Sequence, residues 1–154
     1  MSKTAILLLL SAWTSLQGGG STAGPASVRQ TSYAVVVNAG NPLKETADAT
    51  KAIVRRLFLK ELSQWPDGTD ARPYAREATT AEQLAFLGAV LGMKEAELAR
   101  HWLRVKNMNG TTPPKEVDTD RMVLKYVAKH AGAFGIVKIA AARDAVGVRV
   151  LLEF

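Results

Sequence analysis

The stretch "FLKELSQWPDGTDARPYAR", residues 58–76, joins the end of a helix to the start of a strand. Its first residues continue an amphipathic pattern of apolar and basic side chains, which predicts a helix that ends near Lys60. The Pro-Asp-Gly sequence at 66–68 predicts a tight turn, because proline fixes φ and glycine accepts positive φ. Residues 71–74 then predict a short strand, which Pro73 places at a sheet edge or at a strand start.

The segment upstream of this stretch predicts a buried strand that leads into the same helix. Residues 33–38, "YAVVVN", are rich in β-branched side chains and almost continuously apolar. Such a run is typical of a strand buried on both faces of a parallel or mixed sheet. Either Thr46 or Asp48 can cap the helix that follows. Ile53 and Leu57 lie four residues apart and predict its inner face.

The segment downstream predicts three more helices and two more strands. Residues 77–92 predict a helix that Thr79 caps, with Glu82 completing a capping box and Gly92 ending the helix. The remaining predicted elements are a helix over 93–108, a loop over 109–114, a helix that Asp118 or Thr119 caps and that reaches His130, and strands over 133–139 and 146–152. The order β-α-β-α-α-α-β-β predicts one α/β domain with a mixed sheet flanked by helices.

The first 26 residues have the layout of a cleavable signal peptide. Lys3 supplies a positive charge, residues 4–13 form an apolar run too short to span a bilayer, and small residues follow. A buried N-terminal helix or a signal anchor is the alternative, and cleavage after Ala23 or after Ala26 is left open. We expect residues 27–154 to form one exported domain. Because the sequence has no cysteine, a bacterial periplasm is favoured over a eukaryotic secretory route.

The charged and nucleophilic residues predict no catalytic, metal or nucleotide site. The net charge is +6, but the basic side chains are spread among acidic neighbours, which favours solvated helix faces over a nucleic-acid surface. The motifs of serine hydrolases and of nucleotide phosphate loops are absent from the sequence. His101 and His130 have no partner at metal-ligand spacing, and His101 is expected at the surface or half-buried. Trp65 and Trp102 are expected to be largely buried. The sequence therefore predicts a protein that is not an enzyme and needs no cofactor.

One feature points to a small-anion site. Arg76 precedes a helix start at which Thr79 and Thr80 offer hydroxyl groups and the backbone offers free N–H groups. A guanidinium group, two hydroxyls and backbone donors are suited to an oxyanion. The alternative is an ordinary helix cap with Arg76 exposed to solvent.

Five segments carry a resemblance to a known family. In chain order they are "YAVVVNAGNP" (33–42), "AIVRRLFLKELSQWPDGT" (52–69), "VLGMKEAELARHW" (90–102), "NGTTPP" (109–114) and "HAGAFGIVKI" (130–139). Together they resemble the phosphate-binding-protein-like family of the type II periplasmic binding proteins. The resemblance is closest to its short one-lobe members, the phosphate ABC transporter substrate-binding-like proteins. The family pattern has a glycine where this chain has Lys60, and glycines in the anion loop that aligns with residues 78–81.

The resemblance implies one lobe of a periplasmic-binding-protein-like fold, a small oxyanion such as phosphate as ligand, and a membrane ABC transporter as partner. The residues expected to hold the oxyanion are Asn38, Asn41, Arg76, Thr79 and Thr80. Because the length corresponds to one lobe, we expect the ligand to bind on an open surface or with the help of another chain. The missing loop glycines support an alternative, a periplasmic interaction module that keeps the fold without a ligand.

Overall fold

The structure is a computed structural model that describes residues 32–154. The predicted signal peptide, residues 1–26, lies outside the described residues. The strands are β1 (Tyr33–Asn38), β2 (Arg72–Ala75), β3 (Lys115–Glu116), β4 (Ala133–Lys138) and β5 (Val148–Glu153). The helices are α1 (Ala47–Phe58), α2 (Ala81–Phe86) with a π-helical continuation (Leu87–Leu91), α3 (Glu95–Asn109), α4 (Asp120–Lys129) and α5 (Ile139–Ala142). The sequence predicted all of these except the short elements β3 and α5.

The five strands form one mixed sheet in the order β3-β2-β4-β1-β5. β2 pairs in parallel with both β3 and β4, whereas β1 pairs antiparallel with both β4 and β5. The predicted α/β class with a mixed sheet flanked by helices is therefore confirmed. Because β1 runs against β2, β3 and β4, its C-terminal end lies at the edge of the sheet where those three strands begin.

Hydrophobic cores cover both faces of the sheet, and β1 contributes to each. Val35 and Val37 face the core shared with α1, α2 and the π-helical turn, whereas Val36 faces the core shared with α4. All three valines are fully buried. Side chains alternate between the faces of a strand, so a strand covered on both sides must be apolar at every position. This is the physical reason for the uninterrupted apolar run in β1.

Helix α1 begins at a threonine cap and ends on a residue in the left-handed region. Thr46 caps its first turn, as predicted. Beyond the helix, Lys60 has a φ of 56° and is the one non-glycine residue with positive φ in the described part of the chain. The N–H of Glu61 donates to the carbonyl of Arg56 at 2.9 Å, and the N–H of Lys60 donates to that of Leu57 at 3.2 Å. These two bonds form a Schellman motif, so the helix ends as a glycine at position 60 would end it.

The turn after α1 is tied to the start of β4 through Trp65. The Trp65 side chain is buried, its indole Nε1–H donates to the carbonyl of Gly132 at 2.9 Å, and its ring meets that of Phe134 edge to face. Gly132 has no room for a side chain, since a Cβ there would overlap the carbonyl oxygen of Asp70. The prediction that Trp65 is buried is confirmed.

Pro73 lies near the start of β2, but β2 is an interior strand. The N–H of Arg72 donates to the carbonyl of Gly132, on the β4 side. The nitrogen of Pro73 therefore points to the other side, where β3 pairs only from Tyr74 onward. No ladder hydrogen bond is lost at the proline, which explains how an interior strand accepts it. The strand-start expectation is confirmed and the edge expectation is wrong.

The second half of the chain differs from prediction in which side chains face inward. Thr80, not Thr79, caps α2, and Gly92 ends the π-helical turn with a φ of 61°. His101, expected at the surface or half-buried, is buried because its Nε2 bonds the carbonyl of Leu59. Trp102 is only partly buried. Compared with the orientation that the apolar pattern predicts, helix α3 is thus rotated, and His101 takes the inward position expected for Trp102.

Candidate functional site

The carboxyl ends of β2, β3 and β4 meet at one edge of the sheet. Because these strands are parallel, the helices that follow β2 and β3 both begin at this edge. In open α/β sheets, ligands bind in the crevice outside the carboxyl ends of the strands, where helix N-termini supply free N–H groups. Arg76 follows β2 directly and lies at this edge, between the beginnings of α2 and α4.

The Arg76 guanidinium is buried, and two of its three nitrogens are hydrogen-bonded. Its Nη1 lies 2.9 Å from an Asp120 carboxylate oxygen, and its Nη2 donates to the Asp118 carbonyl at 3.0 Å. The side chain of Arg76 is 6% exposed. Its Nε is the one buried side-chain nitrogen or oxygen without a hydrogen-bond partner among residues 32–154. A buried N–H without an acceptor costs about 1–3 kcal/mol, a cost that an acceptor in contact with Nε would remove.

The charges around Arg76 are nearly balanced. The carboxylate of Glu82, which is buried, lies 4.0 Å from Nη2 of Arg76 and 3.6 Å from Nζ of Lys138. Two cations and two carboxylates therefore meet at this edge, counting Asp120. A near-neutral cluster attracts a further anion weakly, and a ligand oxyanion has to compete with Asp120 for the guanidinium.

The loop between Arg76 and α2 is held by its own hydrogen bonds. The hydroxyl of Thr80 donates to the Glu77 carbonyl at 2.8 Å and accepts from the N–H of Gln83 at 3.4 Å. The hydroxyl of Thr79 lies 3.3 Å from the Glu77 carboxylate. The side-chain oxygen of Gln83 accepts from the N–H of Arg76 at 3.0 Å. Thr79 is exposed, so its hydroxyl can exchange partners more readily than that of Thr80.

Asn38 and Asn41 lie near the opposite edge of the sheet. The Nδ2 of Asn38 donates to the carbonyls of Val127 and Ala128 at 3.0 Å each, and so holds the end of α4 against the end of β1. The Oδ1 of Asn41 accepts from the N–H of Leu43 at 2.9 Å. Both asparagine side chains thus form hydrogen bonds with backbone groups of this region.

The structure brings Arg76, Thr79 and Thr80 together and leaves the two asparagines apart from them. Val37 is opposite Phe134, so Asn38 lies at the level where β4 and β2 begin. Arg76 is four residues further along β2, or about 13 Å at about 3.3 Å per residue. One small anion cannot touch both groups, because a phosphate-sized ligand reaches only its immediate neighbours.

Three polar side chains of this edge were not predicted from the sequence: Glu82, Asp120 and Lys138. Glu82 was interpreted as a capping-box residue. Asp120 is 44 residues from Arg76 in the chain, so no local pattern reveals their pairing. Among residues 32–154, no group of three or more His, Asp or Glu side chains could hold a metal ion. None of the described helices is long and apolar enough to cross a membrane.

Comparison with solved structures shows where this fold has been seen before. The chain is similar to an ABC-type phosphate transport receptor from Vibrio cholerae, with a TM-score of 0.58 and 17% identity over 78% of this chain and 45% of that chain. It is also similar to PstS from Borrelia burgdorferi, with a TM-score of 0.59 and 10% identity over 79% of this chain and 46% of that chain. The chain thus spans less than half the length of these two proteins. No protein-family profile and no curated protein matches its sequence. The expected likeness to phosphate ABC transporter substrate-binding proteins is confirmed for the fold.

Proposed function

We propose that this chain is a non-enzymatic, exported solute-binding-like protein that recognises a small oxyanion such as phosphate for an ABC transport system. The observation that carries the proposal is the buried Nε of Arg76, a donor without an acceptor at the carboxyl edge of the sheet. The fold likeness to a phosphate transport receptor supports it. The charged start and short apolar run of the sequence support export to the periplasm through a cleaved leader.

The residues around Arg76 give the proposed ligand a definite set of contacts. Asp120 and the Asp118 carbonyl hold the guanidinium from one side, which fixes the direction of the Nε donor. Thr79 and Thr80 lie a few residues away and supply hydroxyl groups. The N–H groups of the first turn of α2 lack acceptors within the helix. Asn38 and Asn41 position the end of β1 in this proposal, since they lie at the other edge.

The competing carboxylate sets the expected strength of binding. A few charge-assisted hydrogen bonds, at about 1.5–3 kcal/mol each, favour an affinity no tighter than about micromolar. Asp120 already occupies part of the guanidinium, which lowers the affinity further. The binding should weaken as salt concentration rises, because ions screen a charged ligand at an exposed edge.

Replacement of Asp120 by asparagine tests the proposal with a predicted sign. Asp120→Asn keeps an oxygen that accepts from Arg76 but removes the competing negative charge, so phosphate or sulfate should bind severalfold more tightly in titration calorimetry. Asp118→Asn is the matched control, since the exposed Asp118 contacts Arg76 through its backbone carbonyl alone. Arg76→Ala should abolish the binding. Absence of heat from millimolar phosphate and sulfate, in the wild-type protein and in Asp120→Asn alike, would contradict the proposal.

A second function, a periplasmic interaction module without a small ligand, is favoured by the state of the anion loop. Ala78 and Thr80 stand where the family pattern has glycines, and the loop hydroxyls are bonded to Glu77 and Gln83. In this case Arg76 is a structural residue that joins β2 to α4. Arg76→Ala would then lower the free energy of unfolding while the wild-type protein showed no thermal shift with any oxyanion.

A further inference from the structure

A second group of cationic side chains lines a separate cavity beside α3. The cavity has a volume of about 420 Å³ and is lined by three arginines, Arg55 from α1 and Arg100 and Arg104 from α3, together with His101 and Glu97. Within residues 32–154, the hydrogen bonds and ion pairs of the Arg76 side chain go to Asp118, Asp120 and Glu82, none of which lines this cavity. The volume is within the range of small-molecule sites, about 300–1,000 Å³. We call this cavity the arginine pocket.

Hydrogen bonds to fixed groups hold two of the three arginines in place. The Nε of Arg55 donates to the carbonyl of Leu91 at 3.0 Å. The Nε2 of His101 lies 3.0 Å from the carbonyl of Leu59, and a carbonyl can only accept, so Nε2 carries a proton. The Nδ1 lone pair is then the acceptor for Arg104, whose Nη2 lies 3.4 Å away. A buried histidine thus positions an exposed arginine at the pocket wall.

The positive charge of the arginine pocket is not neutralised within the described chain. No carboxylate of residues 32–154 lies within ion-pair distance of Arg55, Arg100 or Arg104. The one acidic lining residue, Glu97, has its carboxylate 2.7 Å from the N–H of Lys94, which it caps. Like charges that share a pocket repel each other, and an anion placed among them lowers their electrostatic energy.

We propose that the arginine pocket binds a small polyanion with at least two oxyanion groups, represented by a diphosphate. Guanidinium groups bind phosphate oxygens through two parallel hydrogen bonds, so a single phosphate can satisfy one or two arginines. A diphosphate carries more negative charge than a single phosphate, so it matches the charge of three guanidinium groups more closely. The anchoring of Arg55 and Arg104 reduces the entropy lost when the ligand binds. The proposal is independent of the Arg76 edge, which uses different residues.

Calorimetry and thermal shift with inorganic pyrophosphate test the proposal on the full chain. Pyrophosphate should bind at low salt and raise the melting temperature. Arg100→Gln and Arg104→Gln should each weaken it by about tenfold, as expected for the loss of one charge-assisted hydrogen bond. Without ligand, Arg100→Gln should melt no lower than the wild-type protein, because an exposed side chain is replaced and repulsion is relieved. Arg143→Gln, an exposed arginine beyond α5 on the other face of the sheet, is the matched control and should bind like the wild-type protein.

Each other outcome of the experiment contradicts the arginine-pocket proposal. Equal affinity for phosphate and pyrophosphate would show that the second oxyanion group makes no contact. Loss of pyrophosphate binding in Arg76→Ala, with Arg100→Gln and Arg104→Gln unaffected, would place the anion at the other edge. Tight binding of a single-stranded oligonucleotide without binding of pyrophosphate would indicate an extended nucleic-acid surface instead of a small-ligand site.

Discussion

Replacement of Lys60 by glycine should stabilise the protein. Lys60 has a φ of 56°, a conformation that costs an ordinary residue about 1–2 kcal/mol because its Cβ approaches the carbonyl oxygen. Glycine does not have this cost, but its extra backbone entropy stabilises the unfolded chain by about 0.4–1 kcal/mol. The difference is a gain of about 0.5–1 kcal/mol in the free energy of unfolding. For a domain of this size the gain corresponds to an increase of about 2–4 °C in melting temperature.

The assay is urea unfolding of the wild-type protein, Lys60→Gly and Lys60→Ala. Lys60 is exposed, so removal of its side chain alone should change the free energy of unfolding by less than about 0.5 kcal/mol. Lys60→Ala keeps the Cβ, and it therefore separates the backbone effect from any effect of the lysine charge.

Two results would refute this reasoning. If Lys60→Ala stabilises as much as Lys60→Gly, the gain comes from loss of the positive charge and the backbone conformation is not strained. If Lys60→Gly destabilises, the Schellman motif at Glu61 and Arg56 does not persist in solution, since a glycine fits that motif better than any other residue.

Three further outcomes are expected. In urea titrations, Gly132→Ala should lower the free energy of unfolding by about 3 kcal/mol or more, because a Cβ there would overlap a backbone carbonyl oxygen. A Cβ at Gly88 would meet open space, so Gly88→Ala should be neutral or slightly stabilising. Trp65→Ala should cost about 3–5 kcal/mol and Trp102→Ala about half of that, since Trp65 is buried and Trp102 only partly so; equal losses would contradict the structure. N-terminal sequencing of protein exported by a bacterial host should find the leader removed, and a soluble periplasmic product that retains Met1 would show that this prediction is wrong.

Much of the fold could be predicted because its signals are local. The caps of α1 and α4, the glycine stop at Gly92 and the apolar run of β1 each depend on a few neighbouring residues. β3 and α5 are two and four residues long, too short for a periodic pattern to reveal. The orientation of α3 was mispredicted because the bond from His101 to the Leu59 carbonyl outweighs the apolar pattern.

The candidate sites were predicted only in part, because their geometry depends on strand order. Arg76, Thr79 and Thr80 are neighbours in the chain, so their proximity follows from sequence alone. Asn38 ends β1 much as Arg76 follows the end of β2, but the antiparallel direction of β1 places Asn38 at the opposite edge. The local sequence of β1 and β2 does not reveal whether these two strands run in the same direction.

By itself, the sequence determined the α/β class, the positions of the long helices and strands, and the cluster of Arg76 with two threonines. Backbone propensity, caps and apolar periodicity act within a turn or a strand, so they depend on residues that are close together in the sequence. Tertiary structure alone decided that Asp120 neutralises Arg76, that Asn38 lies far from it, and that arginines of α1 and α3 share one pocket. These arrangements bring together residues that are tens of positions apart, and they follow from how the helices cover both faces of the sheet.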